Sequence, residues 1–259
     1  MKSLAHYIQE KLVINSLQEK LVIKKSNQYK YFPQSKLELR EIIENRIKEE
    51  GSEVDLNEID TSKITDMSNL FEYSDFNADI SNWDVSNVTN MNSMFYMCNN
   101  FNQDISSWDV SKVTNMNDMF NGCIIFNKDI SSWDVSKVKT MFWMFYCCGD
   151  FNQDISIWNV SNVIDMSYMF FSCKSFNKDI SQWDVSNVKY MVGMFFNCES
   201  FNQDISQWDV SKVTNMKYMF WECSEFNQDI SSWDVSNVTD MQDMFYNCSI
   251  KEKYKPNVK

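Results

Sequence analysis

The stretch Phe101-Asn102-Gln103-Asp104-Ile105-Ser106-Ser107-Trp108-Asp109-Val110-Ser111-Lys112-Val113-Thr114-Asn115-Met116-Asn117-Asp118-Met119-Phe120-Asn121-Gly122-Cys123 decides the fold, because it returns every 25 residues. Phe76, Phe101, Phe126, Phe151, Phe176, Phe201 and Phe226 open the copies. A tryptophan follows seven residues later in each: Trp83, Trp108, Trp133, Trp158, Trp183, Trp208 and Trp233. No insertion breaks the register between Phe76 and Cys248. A strict period of this length is the mark of a solenoid, in which each copy stacks only on its neighbours. Matching side chains should then form continuous buried rows along one axis.

Two patterns run through one copy. Ile105-x-x-Trp108-x-Val110 alternates, which predicts a short strand with Trp108 and Val110 inward and Ser107 and Asp109 outward. Val113, Met116, Met119, Phe120 and Cys123 recur at helical spacing and predict an inward stripe on a helix of about two turns. Its first residue falls at Asn115, whose counterparts Asn90, Thr140, Asp165, Asn215 and Asp240 are mostly helix N-cap types, with Tyr190 the exception. The expected fold is an α/β repeat solenoid. It is a leucine-rich-repeat-like stack with a parallel sheet on one face and short helices on the other, plus an N-terminal capping helix.

Working outward, residues 56–75 read as a degenerate first coil. Leu56, Ile59 and Thr61 stand where Ile80, Trp83 and Val85 stand in the next, and Ile64, Met67, Leu70 and Phe71 match Val88, Met91, Met94 and Phe95. Ser74 replaces the cysteine. Upstream, Ser35 and Glu38 form a capping-box pattern, Leu39, Ile42, Ile43, Arg46 and Ile47 make one stripe, and Gly51 sits where a left-handed C-terminal residue belongs. Such a helix is expected to cover the exposed end of the stack. Tyr29 to Phe32 suits a short strand ended by Pro33, and the echo of residues 9–14 at 18–23 reads as a helix- or strand-prone linker. After Ser249 no cap is recognisable, and Lys251 to Lys259 form a basic tail expected to be loose. The chain thus divides into residues 1–55 (a helical, capping segment), 56–249 (the solenoid) and 250–259 (the tail).

Composition narrows the function. With 4 glycines and 2 prolines in 259 residues, turns must be built from Asn, Asp and Ser, whose side chains bond nearby backbone. A net charge of −12 argues against nucleic acid, whose phosphates it would repel. No apolar run approaches the ~20 residues of a membrane helix, so membrane insertion is not expected. The polar N-terminus interrupts any secretory core of about 7–15 residues, which reads as cytoplasmic. Seven of the 8 cysteines (Cys98, Cys123, Cys148, Cys173, Cys198, Cys223 and Cys248) share one repeat position, and Cys147 adjoins one. Without a CxxC pair, and with His6 as the sole histidine, no zinc site and no cofactor is expected. The column reads as reduced thiols acting as small hydrophobes, with oxidation between stacked coils as the alternative.

The motif FNQDISSWDVSKVTNMNDMFNGC of residues 101–123 resembles the repeat of BspA-like leucine-rich-repeat surface proteins, including the Mycoplasma-type repeats. The resemblance covers residues 56–248. It implies a solenoid, a binding or adhesive role, and a surface location that the polar N-terminus does not itself suggest.

Three groups of residues are candidates for function. An outer acidic column comprises Asp84, Asp109, Asp134, Asp184, Asp209 and Asp234, with Asn159 standing in once; a second runs from Asp79 through Asp104 to Asp229. Carboxylates on adjacent coils repel, so Ser and Asn hydrogen bonds, bound cations or a basic partner must offset them. The third group is aromatic: Tyr96, Tyr146, Phe171, Phe196, Trp221 and Tyr246 point away from the core stripe, and Phe142, Trp143, Tyr168 and Tyr218 add to them. They form either an exposed ridge for a protein partner or rings lying flat to seal the coil exterior. No catalytic residue is assigned, since the acids repeat uniformly and no nucleophile–base pair or phosphate loop is present. The expected function is a non-enzymatic protein-interaction module; the alternative is a structural or adhesive component of a surface or particle that self-associates.

Overall fold

The computed structural model describes residues 29–257. His6 and the echo of residues 9–14 at 18–23 lie outside them. The expected buried rows are present. Trp108, Trp133, Trp158, Trp183, Trp208 and Trp233 are each 3–4% exposed. Neighbouring indoles such as Trp108 and Trp133 stack 6.5 Å apart and within 1° of parallel. Phe95, Phe120, Phe145, Phe170, Phe195 and Phe220 form a second row at 5.6–5.8 Å. Each indole Nε1 donates to the isoleucine carbonyl one coil back, as Trp158 does to Ile130 at 3.1 Å. The degenerate first coil joins the same core through Leu56, Ile59, Ile64, Met67, Leu70 and Phe71.

The secondary structure is not the expected one. Among the described residues there is one α-helix, α1 (Lys36–Glu50), and one 3-10 turn (Glu252–Tyr254), with no named strand. Neither the parallel sheet nor the row of short helices exists, and with them goes the leucine-rich-repeat-like architecture. In place of a sheet, isolated parallel bridges run Asp66–Asn90–Asn115–Thr140–Asp165–Tyr190–Asn215–Asp240, with one more from Asp55 to Asp79. The Tyr29–Phe32 segment likewise makes a single bridge, Tyr31 to Ile59, rather than a strand.

Hydrogen-bond routing explains why the predicted helices fail to form. In a helix every N–H would reach back four residues. Here alternate N–H groups leave the coil: those of Met116, Asp118, Phe120 and Gly122 donate to the carbonyls of Thr140, Phe142, Met144 and Tyr146. Groups between them close four-residue turns, Met119 to Met116, Asn121 to Asp118 and Cys123 to Phe120. Asp118 and Gly122 take φ of 55° and 79°, the left-handed third position of such a turn, and their counterparts in every coil do the same. Asn115 does not cap a helix but accepts from the Asn117 N–H at 3.0 Å in an Asx turn. The predicted strand fails similarly. The Trp108 N–H closes a turn on the Ile105 carbonyl, and those of Ser106 and Ser111 go to the Asp104 and Asp109 side chains. Helical spacing of apolar residues is thus met by successive turns, because these also bring residues three and four apart to one face.

One end of the stack is covered by α1 and the other is covered in part by the tail. Ser35 Oγ accepts from the Glu38 N–H, Glu38 Oε2 accepts from the Gln34 N–H, and Gly51, at φ 95°, donates to the Ile47 carbonyl. α1 buries Leu39 and Ile43 against the core, while Arg46 leaves the apolar stripe to pair with Glu58 at 2.9 Å. At the other end the expected loose tail is instead laid on the last coil. Ile250 is 7% exposed, the Ile230 N–H donates to the Tyr254 carbonyl, and Tyr254 packs against the core.

Candidate functional site

Turn geometry sets the aromatic residues on a ladder beside the core. The residue just before the second left-handed position of each coil lies outside the core row, and at five successive coils, from Tyr146 to Tyr246, it is aromatic. Tyr146–Phe171 and Phe171–Phe196 stack at 4.4 Å, Phe196–Trp221 at 5.6 Å and Trp221–Tyr246 at 4.1 Å. Tyr96 is separated from this ladder by Asn121, which is 3% exposed and donates to Asp118, so the ridge is not continuous. Tyr96 pairs instead with Tyr73, edge to face at 5.0 Å.

A second tier lies against the first. Phe142 stacks on Trp143 at 4.6 Å, Trp143 and Tyr168 flank Tyr146 and Phe171, and Tyr218 meets Trp221 edge-on at 5.5 Å. Gly193 makes room in this tier: at φ 54° a Cβ there would stand 2.6 Å from the Tyr168 ring. Lys217 Nζ lies over the Tyr218 ring, 4.6 Å from its centre. Of the ten aromatic candidates, Tyr246 is exposed and the other nine are half-buried. Burial pushes the Tyr146 and Tyr168 hydroxyls above their ordinary range; for Tyr96 the hydrogen bond to Tyr73 comes first and burial second. The ladder therefore shows ring edges along its length and one open face, at Tyr246.

The acidic columns lie elsewhere on the coil. Asp84 is half-buried and Asp109, Asp134, Asp184, Asp209 and Asp234 are exposed. Each carboxylate accepts from the N–H of the serine two residues on, at 3.0–3.1 Å. Hydrogen bonds from Ser111, Ser136 and Ser211 hold Asp109, Asp134 and Asp209 below the usual carboxylate range. The Asp109 charge acts on Asp134 in the opposite sense, and the hydrogen bonds outweigh it. Among the described residues no group of three or more Asp, Glu, Cys or His is placed to hold a metal ion. A shallow groove of about 490 Å³ lies where Tyr29 faces Asp84 and Asp109.

The cysteines are free. Cys123, Cys148, Cys173, Cys198 and Cys223 donate to phenylalanine carbonyls one coil back, and burial pushes these thiols far above their ordinary range. Cys98 is raised to about 11, again by burial. What sequence reasoning missed is the pair of left-handed positions in each coil. Gly122 and Gly193 were the available signal, but Asp118, Trp143 and Tyr168 hold the same conformation without glycine.

The repeat is the feature by which the chain is classified. The family described as "Mycoplasma protein of unknown function" matches residues 39–158 and 140–257. The chain belongs to this family, DUF285. The two DUF285 matches overlap over residues 140–158, within the uninterrupted run of coils. The match supports the Mycoplasma-type repeat without naming BspA-like proteins. No curated protein and no solved structure matches the chain. Among the described residues no helix is long and apolar enough to cross a membrane.

Proposed function

We propose that this DUF285 protein is a non-enzymatic protein-interaction module whose binding surface is the aromatic ladder from Tyr146 to Tyr246. The observation that carries this reading is that the core is already complete without these rings. Phe145, Phe170, Phe195 and Phe220, one residue before Tyr146, Phe171, Phe196 and Trp221, are 0% exposed, whereas these ladder residues stand outside them and are only partly buried. Aromatic side chains bury about 150–250 Å² each and dominate interface energetics, so a solvated row of them suits a partner protein. The ring edges, together with Lys217 and Glu222 alongside, suit a surface with an apolar centre and a polar rim.

The test replaces Tyr146, Phe171 and Phe196 by Ser in the full chain. The variant should keep its thermal transition and tryptophan emission while losing a partner that the wild type captures in a pull-down. Loss of folding would show that the rings only seal the coil. The alternative, a self-associating structural or adhesive component, drew on an uncapped C-terminal coil, and Ile250 and Tyr254 cover part of that coil. Sedimentation separates the readings: a monomer fits the module, and ordered oligomers of the wild type fit the structural role.

A further inference from the structure

Four backbone hydrogen bonds at each interface of the turn ladder run in one direction, and a single bond beside them, such as Thr114 N–H to the Thr89 carbonyl, runs the other way. The N–H groups of Met67, Asn69, Phe71 and Tyr73 donate to Asn90, Asn92, Met94 and Tyr96. The pattern repeats without reversal until Met216, Tyr218, Phe220 and Glu222 donate to Asp240, Gln242, Met244 and Tyr246. The stack therefore has a carbonyl end and an N–H end. α1 lies against the carbonyl end: Lys36 Nζ is 3.1 Å from the Ser68 carbonyl, Arg40 donates to that of Asn69, and Leu39 is fully buried.

The N–H end is different. The N–H groups of Met241, Asp243, Phe245 and Asn247 have no acceptor among the described residues. Residues 250–256 cover the Ile230 side of this coil and bring Lys255 Nζ to 5.6 Å from the centre of the Phe245 ring, but leave those four N–H groups unpaired. Val238, Met241 and Phe245 are only half-buried, although their counterparts in the six preceding coils are 0% exposed. Tyr246 ends the ring ladder at 49% exposure. Unpaired backbone beside unfinished apolar rows is the situation of an edge strand, which invites another chain.

We propose that this edge docks a further coil of the same turn geometry, carried by another polypeptide with the DUF285 repeat. The interfaces within this chain define the occupant. It brings four carbonyls in register, apolar side chains over Val238, Met241 and Phe245, and a ring over Tyr246. An ordinary strand does not match. The Met241–Met244 turn holds residues three apart within ~7 Å, against ~10 Å in a strand. A second copy of this chain does not match either. Tail to tail, donors face donors; head to tail, α1 occupies the carbonyl end. This inference is independent of the ladder's role between Tyr146 and Trp221.

The test uses full-length protein. Leu39→Asp with Ile43→Asp drives α1 off the first coil and bares its carbonyl row, so the variant offers both ends and should form head-to-tail chains. Sedimentation should show a monomeric wild type and concentration-dependent assembly of the variant. Adding Tyr246→Glu, which sets a carboxylate among the incoming carbonyls, should weaken assembly at least tenfold. Ser at positions 146, 171 and 196 should leave it unchanged, which keeps this inference separate from the proposed ladder function. A double variant with intact tryptophan burial that stays monomeric overturns the proposal, as does assembly indifferent to Tyr246→Glu. Hydrogen exchange on the wild type decides the matter if the variant unfolds. The amides of 241, 243, 245 and 247 should exchange at least a hundredfold faster than those of 216, 218, 220 and 222, and equal protection would mean the edge is already closed.

Discussion

At the scale of single residues, each tryptophan serves the stack twice. Trp158 is 3% exposed and its Nε1 donates to the Ile130 carbonyl, so it joins coils by burial and by a hydrogen bond. Trp158→Ala should cost about 3–5 kcal/mol, read from denaturant melts. The aspartates contribute through turns. Asp104, Asp154 and Asp204 are held below the ordinary 3.8 by hydrogen bonds from Ser106, Ser156 and Ser206, as Asp109, Asp134 and Asp209 are by theirs. A carboxyl whose folded pKa is depressed stabilises the fold above its unfolded pKa. That contribution drains away as pH falls through the folded value. The melting temperature should therefore drop below about pH 4. Asn at positions 109, 134 and 209 should blunt that acid drop while keeping the turns, because Asn159 already accepts from the Ser161 N–H at 3.2 Å. An acid limb unchanged in the triple variant would show that these groups do not carry it.

At the scale of elements, the chain contains two ways of satisfying backbone groups. α1 satisfies its own, and its start rests on Ser35 Oγ accepting from Glu38. Ser35→Ala should cost about 1 kcal/mol of stability. The loss should appear as faster amide exchange in residues 36–40 before it appears in the repeats. The coils satisfy theirs through neighbours. α1 was legible because a capping box and a C-terminal glycine are local signals that act within the helix itself. The coil turns were not, because the apolar spacing of Val113, Met116, Met119 and Phe120 is shared by a helix and by a run of turns. What separates the two is where the Asp118 N–H goes, and its acceptor is the carbonyl of Phe142 in the next coil.

At the scale of the whole molecule, bonds between coils make stability a sum over neighbours. Trp158→Ala breaks a row in the middle, whereas Trp233→Ala affects the last tryptophan. The first should lower the transition of the whole stack. The second should loosen only the C-terminal coils, seen as exchange confined to residues beyond about 205 while the main melt barely moves. Equal, global destabilisation by both would falsify the nearest-neighbour account. Because four of the bonds at each ladder interface share one direction, the two ends are unlike each other: one is closed by α1 and the other keeps four donors unpaired among the described residues.

By itself the sequence determined which side chains are buried and in what rows, since a 25-residue period with Trp, Phe, Met and Cys at fixed places can be satisfied only by stacking. It also determined α1 and the first coil, and favoured reduced over oxidised thiols in the repeated cysteine column. Only the tertiary structure decided the backbone path between those anchors, the break in the aromatic ridge at Asn121, and the covering of the last coil by residues 250–256. The reason is physical. Burial depends on residue type, which the sequence displays, whereas a turn with left-handed Trp143 or Tyr168 is held by hydrogen bonds to a coil that must already be in place.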